Sequence, residues 1–205
     1  DEGITKEFVG VSDALHFRTI LRDNPEILRI NLYSYGGHLE AGLEIARIVS
    51  DFEIDTEISK ECSSACVPIF LAGQNRELKK GALIGFHRPN WQQDSMELYY
   101  DAKMEYLGGN APYEFSNWLQ KDTFKVATQL YDRFIQAGVA PEFISQAFKY
   151  DIEQMWYPSR TELVNFGVVT LVELAAMRPP TRPTDIKKIE NAFQEAQISQ
   201  FEPTE

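Results

Sequence analysis

Three short stretches carry residue types that can do chemistry. Ser34-Tyr35-Gly36-Gly37 stands where an apolar run ends and a helical pattern begins. Paired glycines there let the backbone turn tightly and present its N–H groups, which suits an anion or oxyanion; a plain tight turn needs the same glycines for geometry alone. Cys62-Ser63-Ser64-Ala65-Cys66 lies between a strand-like run and an apolar helical run. A serine at a helix N-terminus meets partial positive potential, which favours an alkoxide and a tetrahedral oxyanion, although capping is the commonest job for serine there. Phe86-His87-Arg88-Pro89 leaves a buried run, so the His87 imidazole is expected at the rim of a sheet, where ligand sites gather. Judged singly, the three read as a turn, a cap and a structural histidine. His16 falls on a helix face as a structural residue, and His38 follows the glycine pair with no role assigned.

The elements that must position these stretches alternate. Ile27 to Tyr33 reads as a buried strand, and Leu39 to about Phe52 as a helix with Gly42, Ile45, Ala46, Val49 and Phe52 at helical spacing. Phe52, Ile54, Thr56 and Ile58 alternate with Glu53, Asp55 and Glu57, the period of a strand. An apolar helix runs from Ser63 to a stop at Gly73, and Ala82 to Phe86 is a further strand. Strand and helix in this alternation imply right-handed βαβ units and a mainly parallel sheet. The second half is helical: Tyr113 to Gln136, a short helix opened by Pro141, and a capping box at Ser159 to Glu162 starting a helix ended by Gly167. Val168 to Leu171 reads as a strand, and the polar, aromatic stretch from Asn90 to Pro112 as a lid or insertion. Pro179 to Pro183 reads as a stiff linker and Ile186 to Ile198 as an amphipathic helix, dividing the chain into a domain over 1–178 and an appendage over 179–205.

Composition removes several classes of function. A chain of 205 residues can bury a core without staples. Its 20 Lys and Arg against 31 Asp and Glu give a net charge of −11, which repels nucleic-acid phosphates and anionic membranes. The longest apolar run, Ala65 to Ala72, is too short to span a bilayer. No signal-peptide pattern stands at Asp1, and an export signal trimmed before it is compatible with the sequence. Two cysteines and three scattered histidines match no metal-ligand spacing, so neither metal nor cofactor is expected. Cys62 and Cys66, four apart, could approach disulfide distance on a helical turn in an oxidising compartment, or serve as two small buried apolar residues.

Taken in order, SYGGHLEAG, CSSACVPIFLAG and GALIGFHRP resemble the Clp-type serine peptidases and their crotonase-like superfamily. That family has a strand followed by a Ser-Pro-Gly-Gly turn and a small-residue helix. Then a nucleophile serine opens an apolar helix closing in Gly, and a strand ends in His-Gln-Pro. The resemblance extends to Glu162, Leu163, Val164, Gly167 and Val168, and so covers about two-thirds of the chain. It implies an α/β fold, a ClpP/crotonase-like spiral of ββα units with a mainly parallel sheet and a helical second half. With the helix-ending glycine at Gly73, it places Ser64 as nucleophile, His87 as general base 23 positions on, and the N–H groups of Ala65 and the Gly36-Gly37 turn as oxyanion hole. The implied activity is that of a serine hydrolase, a peptidase acting on a peptide or protein substrate and assembled as a homo-oligomer, with no ATPase implied. Tyr113 to Gln136 falls where the family has its oligomerising handle. The cysteine-flanked serine and the Gly-Phe-His-Arg-Pro ending look most like an exported, periplasmic branch.

The sequence also departs from the family. Tyr35 replaces its proline, and Met155 falls near the position of its triad aspartate. Asp151 is the favoured third member, with Glu153 as substitute; a Ser-His dyad, a Ser-Lys dyad through Lys79 or Lys80, and a silent binding or assembly protein are the other readings. A crotonase-type acyl-CoA enzyme is a further one, against which the acidic balance counts. The absence of a Gly-x-Ser-x-Gly elbow argues against an α/β-hydrolase.

Overall fold

A computed structural model describes residues 9–91, 93–107 and 110–170. Four strands, β1 (Arg29–Ser34), β2 (Asp55–Ser63), β3 (Arg76–Leu78) and β4 (Leu83–Gly85), form one sheet in which every pairing is parallel. β2 is central: β1 lies along one side, and β3 then β4 share the other, at its beginning and its end. Parallel strands need crossovers, and helices supply them. α1 (Val11–Asp23) precedes β1, α2 (Leu39–Asp51) joins β1 to β2, and a 3-10 turn at Ser64–Cys66 followed by α3 (Val67–Leu71) joins β2 to β3. Beyond the sheet come α4 (Gln93–Leu107), α5 (Ala111–Gln136), α6 (Pro141–Ala147) and α7 (Arg160–Asn165).

Two cores meet at α3. Ile69 and Ala72 pack with Ala14 and Leu21 of α1, with Ile45, Ile48 and Val49 of α2, and with Ile54. Val67, Phe70 and Leu71 face the larger core, built from Ile58, Ile84, Phe86, Phe134, Phe143 and Leu163. A five-residue helix buried all round is tied to its strand by the Thr56 hydroxyl, which donates to the Phe70 carbonyl at 2.7 Å.

The capping box forms as expected: the Ser159 hydroxyl accepts from the Glu162 N–H while the Glu162 carboxylate accepts from the Ser159 N–H. One expectation needs correction, and two elements lack a clear sequence signal. The stretch from Asn90 to Pro112 holds the regular helix α4, paired with α5 through a cluster of Trp91, Tyr99, Tyr100, Phe115 and Trp118 in which Tyr99 stacks on Trp118 at 3.8 Å. Tyr99 and Tyr100 pack on a neighbouring helix rather than in a core, while Leu98 and Tyr106 are exposed, so its apolar residues do not trace one stripe. Residues 168–170 form no strand; they run beside β3, with the Thr170 N–H donating to the Arg76 carbonyl. β3 itself carried no signal, being three residues with no alternation. The linker and helix expected over 179–205, and the rest of 171–205, lie outside the described residues.

Candidate active site

The end of β2 is held on both flanks. Cys62 stands opposite Ser34 of β1 and Ile84 of β4, and Ser63 opposite Gly85. One residue later the chain turns: Ser64 adopts φ 55°, a left-handed conformation that costs a non-glycine residue about 1–2 kcal/mol. Neither serine caps the helix that follows. The Ser63 hydroxyl donates to Glu61 at 2.8 Å, and Tyr157 donates to the same carboxylate oxygen at 2.8 Å. The Ser64 hydroxyl makes no hydrogen bond among the described residues. A disulfide joins Cys62 to Cys66, and both are fully buried.

Two glycines hold this arch from outside. Gly36, at φ 115°, lies so close that a Cβ there would stand 2.6 Å from the Ser64 Cβ and 3.1 Å from its Oγ. Gly42 on α2 is pressed against the carbonyl of Ala65, which an added Cβ would meet at 2.2 Å. The Ser34-Tyr35-Gly36-Gly37 turn is therefore packed directly on the serine, and the small residue of α2 serves approach rather than apolar burial. Of the three expected donors, the Gly36 N–H is taken by the Ser34 hydroxyl at 3.2 Å. The Gly37 N–H makes no hydrogen bond among the described residues. Ala65 lies in the first turn of its helix, where N–H groups have no partner inside the helix. His38 caps α2, its Nδ1 accepting from the Ala41 N–H, and His16 is exposed on α1.

His87 follows β4 and is fixed by its backbone neighbours. Phe86 and Trp156 exchange two hydrogen bonds of 2.9 Å, and the Arg88 N–H donates to the Tyr150 carbonyl at 2.9 Å. The imidazole Nδ1 lies 2.6 Å from the Arg88 carbonyl oxygen. A carbonyl only accepts, so this contact assigns a proton to Nδ1, and in the neutral imidazole the lone pair is then on Nε2. Nε2 is buried and has no partner among the described residues. Burial pushes the His87 pKa down, opposed in part by the Arg88 carbonyl and by the charges of Asp151 and Glu153. Ser64 and His87 line one cavity, walled by Val67, Phe134 and Pro89, of about 20 Å³. That is room for a single water.

Asp151 stands close but not in the expected place. Its carboxylate pairs with the Arg88 guanidinium, and the position on Nδ1 that a triad carboxylate would take belongs to the Arg88 carbonyl. Glu153 is exposed on a 3-10 turn, and Met155 packs against Gly85. Lys79 pairs with Glu57 and Glu77, Lys80 is exposed, and neither lines the cavity. Sequence reasoning missed Arg88, because its part is played by a backbone carbonyl that any residue type would supply. It also missed the Glu61–Tyr157 pair, 96 positions apart.

A parallel sheet crossed over by helices, with a serine turning off the end of its central strand and a glycine turn laid on that serine, defines a ClpP-like α/β fold. Among solved structures the chain is similar to a ClpP1 mutant of Listeria monocytogenes, with 19% identity and a TM-score of 0.57 over 79% of this chain and 84% of that one. No protein-family model matches the sequence, and no curated protein does.

Proposed function

We propose that the chain is a serine hydrolase acting on peptide bonds, with Ser64 as nucleophile and His87 as general base. The observation that carries this reading is the buried Nε2 of His87, which has no partner among the described residues and shares a cavity with a serine hydroxyl that does not cap the following helix. Leaving a buried polar atom unpaired costs about 1–3 kcal/mol, which a purely structural histidine has no reason to bear.

In the reaction Ser64 Oγ adds to the substrate carbonyl while Nε2 takes its proton; the imidazolium then gives that proton to the leaving amine, and water repeats the cycle on the acyl-enzyme. The N–H groups of Gly37 and Ala65 receive the oxyanion, each worth about 3 kcal/mol in the transition state. Asp151 is a positioning residue, acting through Arg88, and its charge stabilises the imidazolium that forms. The cavity must open for an acyl group to enter, since it holds only one water. The protein works as a homo-oligomer in an oxidising, exported setting, supported by the likeness to ClpP and by the Cys62–Cys66 disulfide. One observation favours a silent assembly protein instead: among the described residues no carboxylate is hydrogen-bonded to His87.

Labelling with a fluorophosphonate, followed by intact mass, separates the two. A single adduct on wild type, lost in Ser64→Ala and His87→Ala, is expected. A folded wild type that takes no adduct from mildly acidic to basic pH would sink the hydrolase and leave the assembly protein.

A further inference from the structure

We infer that the Cys62–Cys66 disulfide is the positioning clamp of Ser64, holding the serine in its left-handed conformation so that the hydroxyl is reactive in the oxidised chain and not in the reduced one. The reactivity half of this inference rests on Ser64 being the nucleophile; the conformational half does not.

The bridge closes a five-residue arch whose middle residue is Ser64. One anchor, Cys62, is paired on both sides, with Ser34 and with Ile84. The other, Cys66, is the last residue of the 3-10 turn, and both belong to the larger core. Between the anchors the serine is held by packing and not by side-chain hydrogen bonds. Its side chain makes no hydrogen bond among the described residues, and its own carbonyl accepts the helix-starting bond from the Val67 N–H. Gly36 and Gly42 press on the arch but do not bind it. A non-glycine residue at φ 55° relaxes unless its surroundings fix it. The bridge is the covalent part of those surroundings.

Global stability does not explain the bridge. A disulfide restricts the unfolded chain less as its loop shortens, and this loop is very short. Two buried cores already carry the fold. What a four-residue separation does accomplish is local: it fixes where β2 ends relative to where the helix begins, and Ser64 is what lies between.

The test compares wild type with Cys62→Ala/Cys66→Ala, reading amide hydrogen exchange over residues 62–67 and the rate of fluorophosphonate labelling. Where the double variant does not fold, wild type reduced by dithiothreitol replaces it. The dithiol delivers two electrons and two protons, closes to its own cyclic disulfide, and leaves Cys62 and Cys66 as thiols. We expect exchange in the arch to rise at least tenfold with the remaining sheet unchanged. Labelling should fall about 100-fold, the scale of a misplaced reacting group, and reoxidation of the reduced wild type should restore both. Unchanged exchange in the arch, or a uniform rise across the whole chain, would overturn the clamp. Loosening of the arch in a protein whose oxidised form never labels would uphold the clamp and sink the hydrolase. Loosening with full labelling would overturn the claim that reactivity depends on the bridge.

Discussion

His87 is half-buried, and burial is the main influence on its titration, holding its pKa below the ordinary histidine value of about 6.5. Nε2 is then free to accept a proton at neutral pH, and labelling of Ser64 should rise with pH along an acid limb centred below that value. The same shift couples to stability. The folded pKa lies below the unfolded one, so unfolding takes up a proton between them; the contribution is complete above about pH 6.5 and is lost as pH falls. Melting temperatures measured from pH 7 to 5 should fall more steeply for wild type than for His87→Asn, and equal slopes would contradict this. Asp151 raises the His87 pKa through its charge, so Asp151→Asn should move the acid limb of labelling to lower pH. If the carboxylate acts through Arg88, the rate at the plateau falls modestly and Arg88→Ala falls with it. A loss near 10⁴-fold in Asp151→Asn alone would mean that the carboxylate holds the imidazole directly.

At the level of elements, the site is a junction of β2, α2 and the glycine turn after β1, and its tolerances are set by contact distance. Gly36→Ala combines a forbidding φ of 115° with a Cβ 2.6 Å from that of Ser64, and should cost about 2 kcal/mol or more in stability. Gly42→Ala offers a cleaner probe, because a helix tolerates alanine everywhere except where its neighbour is too close. Here the neighbour is the carbonyl of Ala65, at 2.2 Å from the added Cβ. Because that neighbour is backbone, α2 or the arch must move, so the variant should lose stability and label Ser64 at least tenfold more slowly, as displacement of a reacting group predicts. A Gly42→Ala protein labelling at the wild-type rate would show that α2 does not set the arch.

For the molecule as a whole, Arg76 joins the halves. Its guanidinium donates to the carbonyls of Val168, Gly73, Ala137 and Gly167, so one side chain of β3 fastens the sheet to the turns after α5 and α7. Arg76→Ala should cost about 3 kcal/mol, and Arg76→Lys should recover little, because one ammonium cannot span a planar fork of acceptors. Urea unfolding of the three proteins checks this; a fully stable Arg76→Lys would show that charge, not the fork, matters. On the outer face of the sheet Arg29 pairs with Asp55, Glu57 and Glu77, while Lys79 pairs with the latter two. Exposed pairs of this kind set surface character more than stability. Tyr113, Phe124, Tyr131 and Ile135 leave α5 with exposed apolar positions, which is where the proposed assembly through this helix would be sought by sedimentation.

By itself the sequence determined the alternation of strand and helix, the parallel sheet, the long α5, the capped α7, and the order of serine, histidine and glycine turn. These are local signals: apolar period, glycine and proline stops, and caps act within a few residues, so they survive without knowledge of neighbours. The tertiary structure alone decided the rest. Ser64 turns through a left-handed conformation at the end of a strand flanked on both sides, against glycines brought from 28 and 22 positions away, and none of these neighbours is visible in the local sequence. The carbonyl of Arg88, and not a carboxylate, takes Nδ1 of His87, and a backbone group leaves no mark in residue type. The aromatic residues of α4 form a helix against α5 because their partners are on another helix. Each of these outcomes is a contact between distant segments, which periodicity along the chain cannot encode.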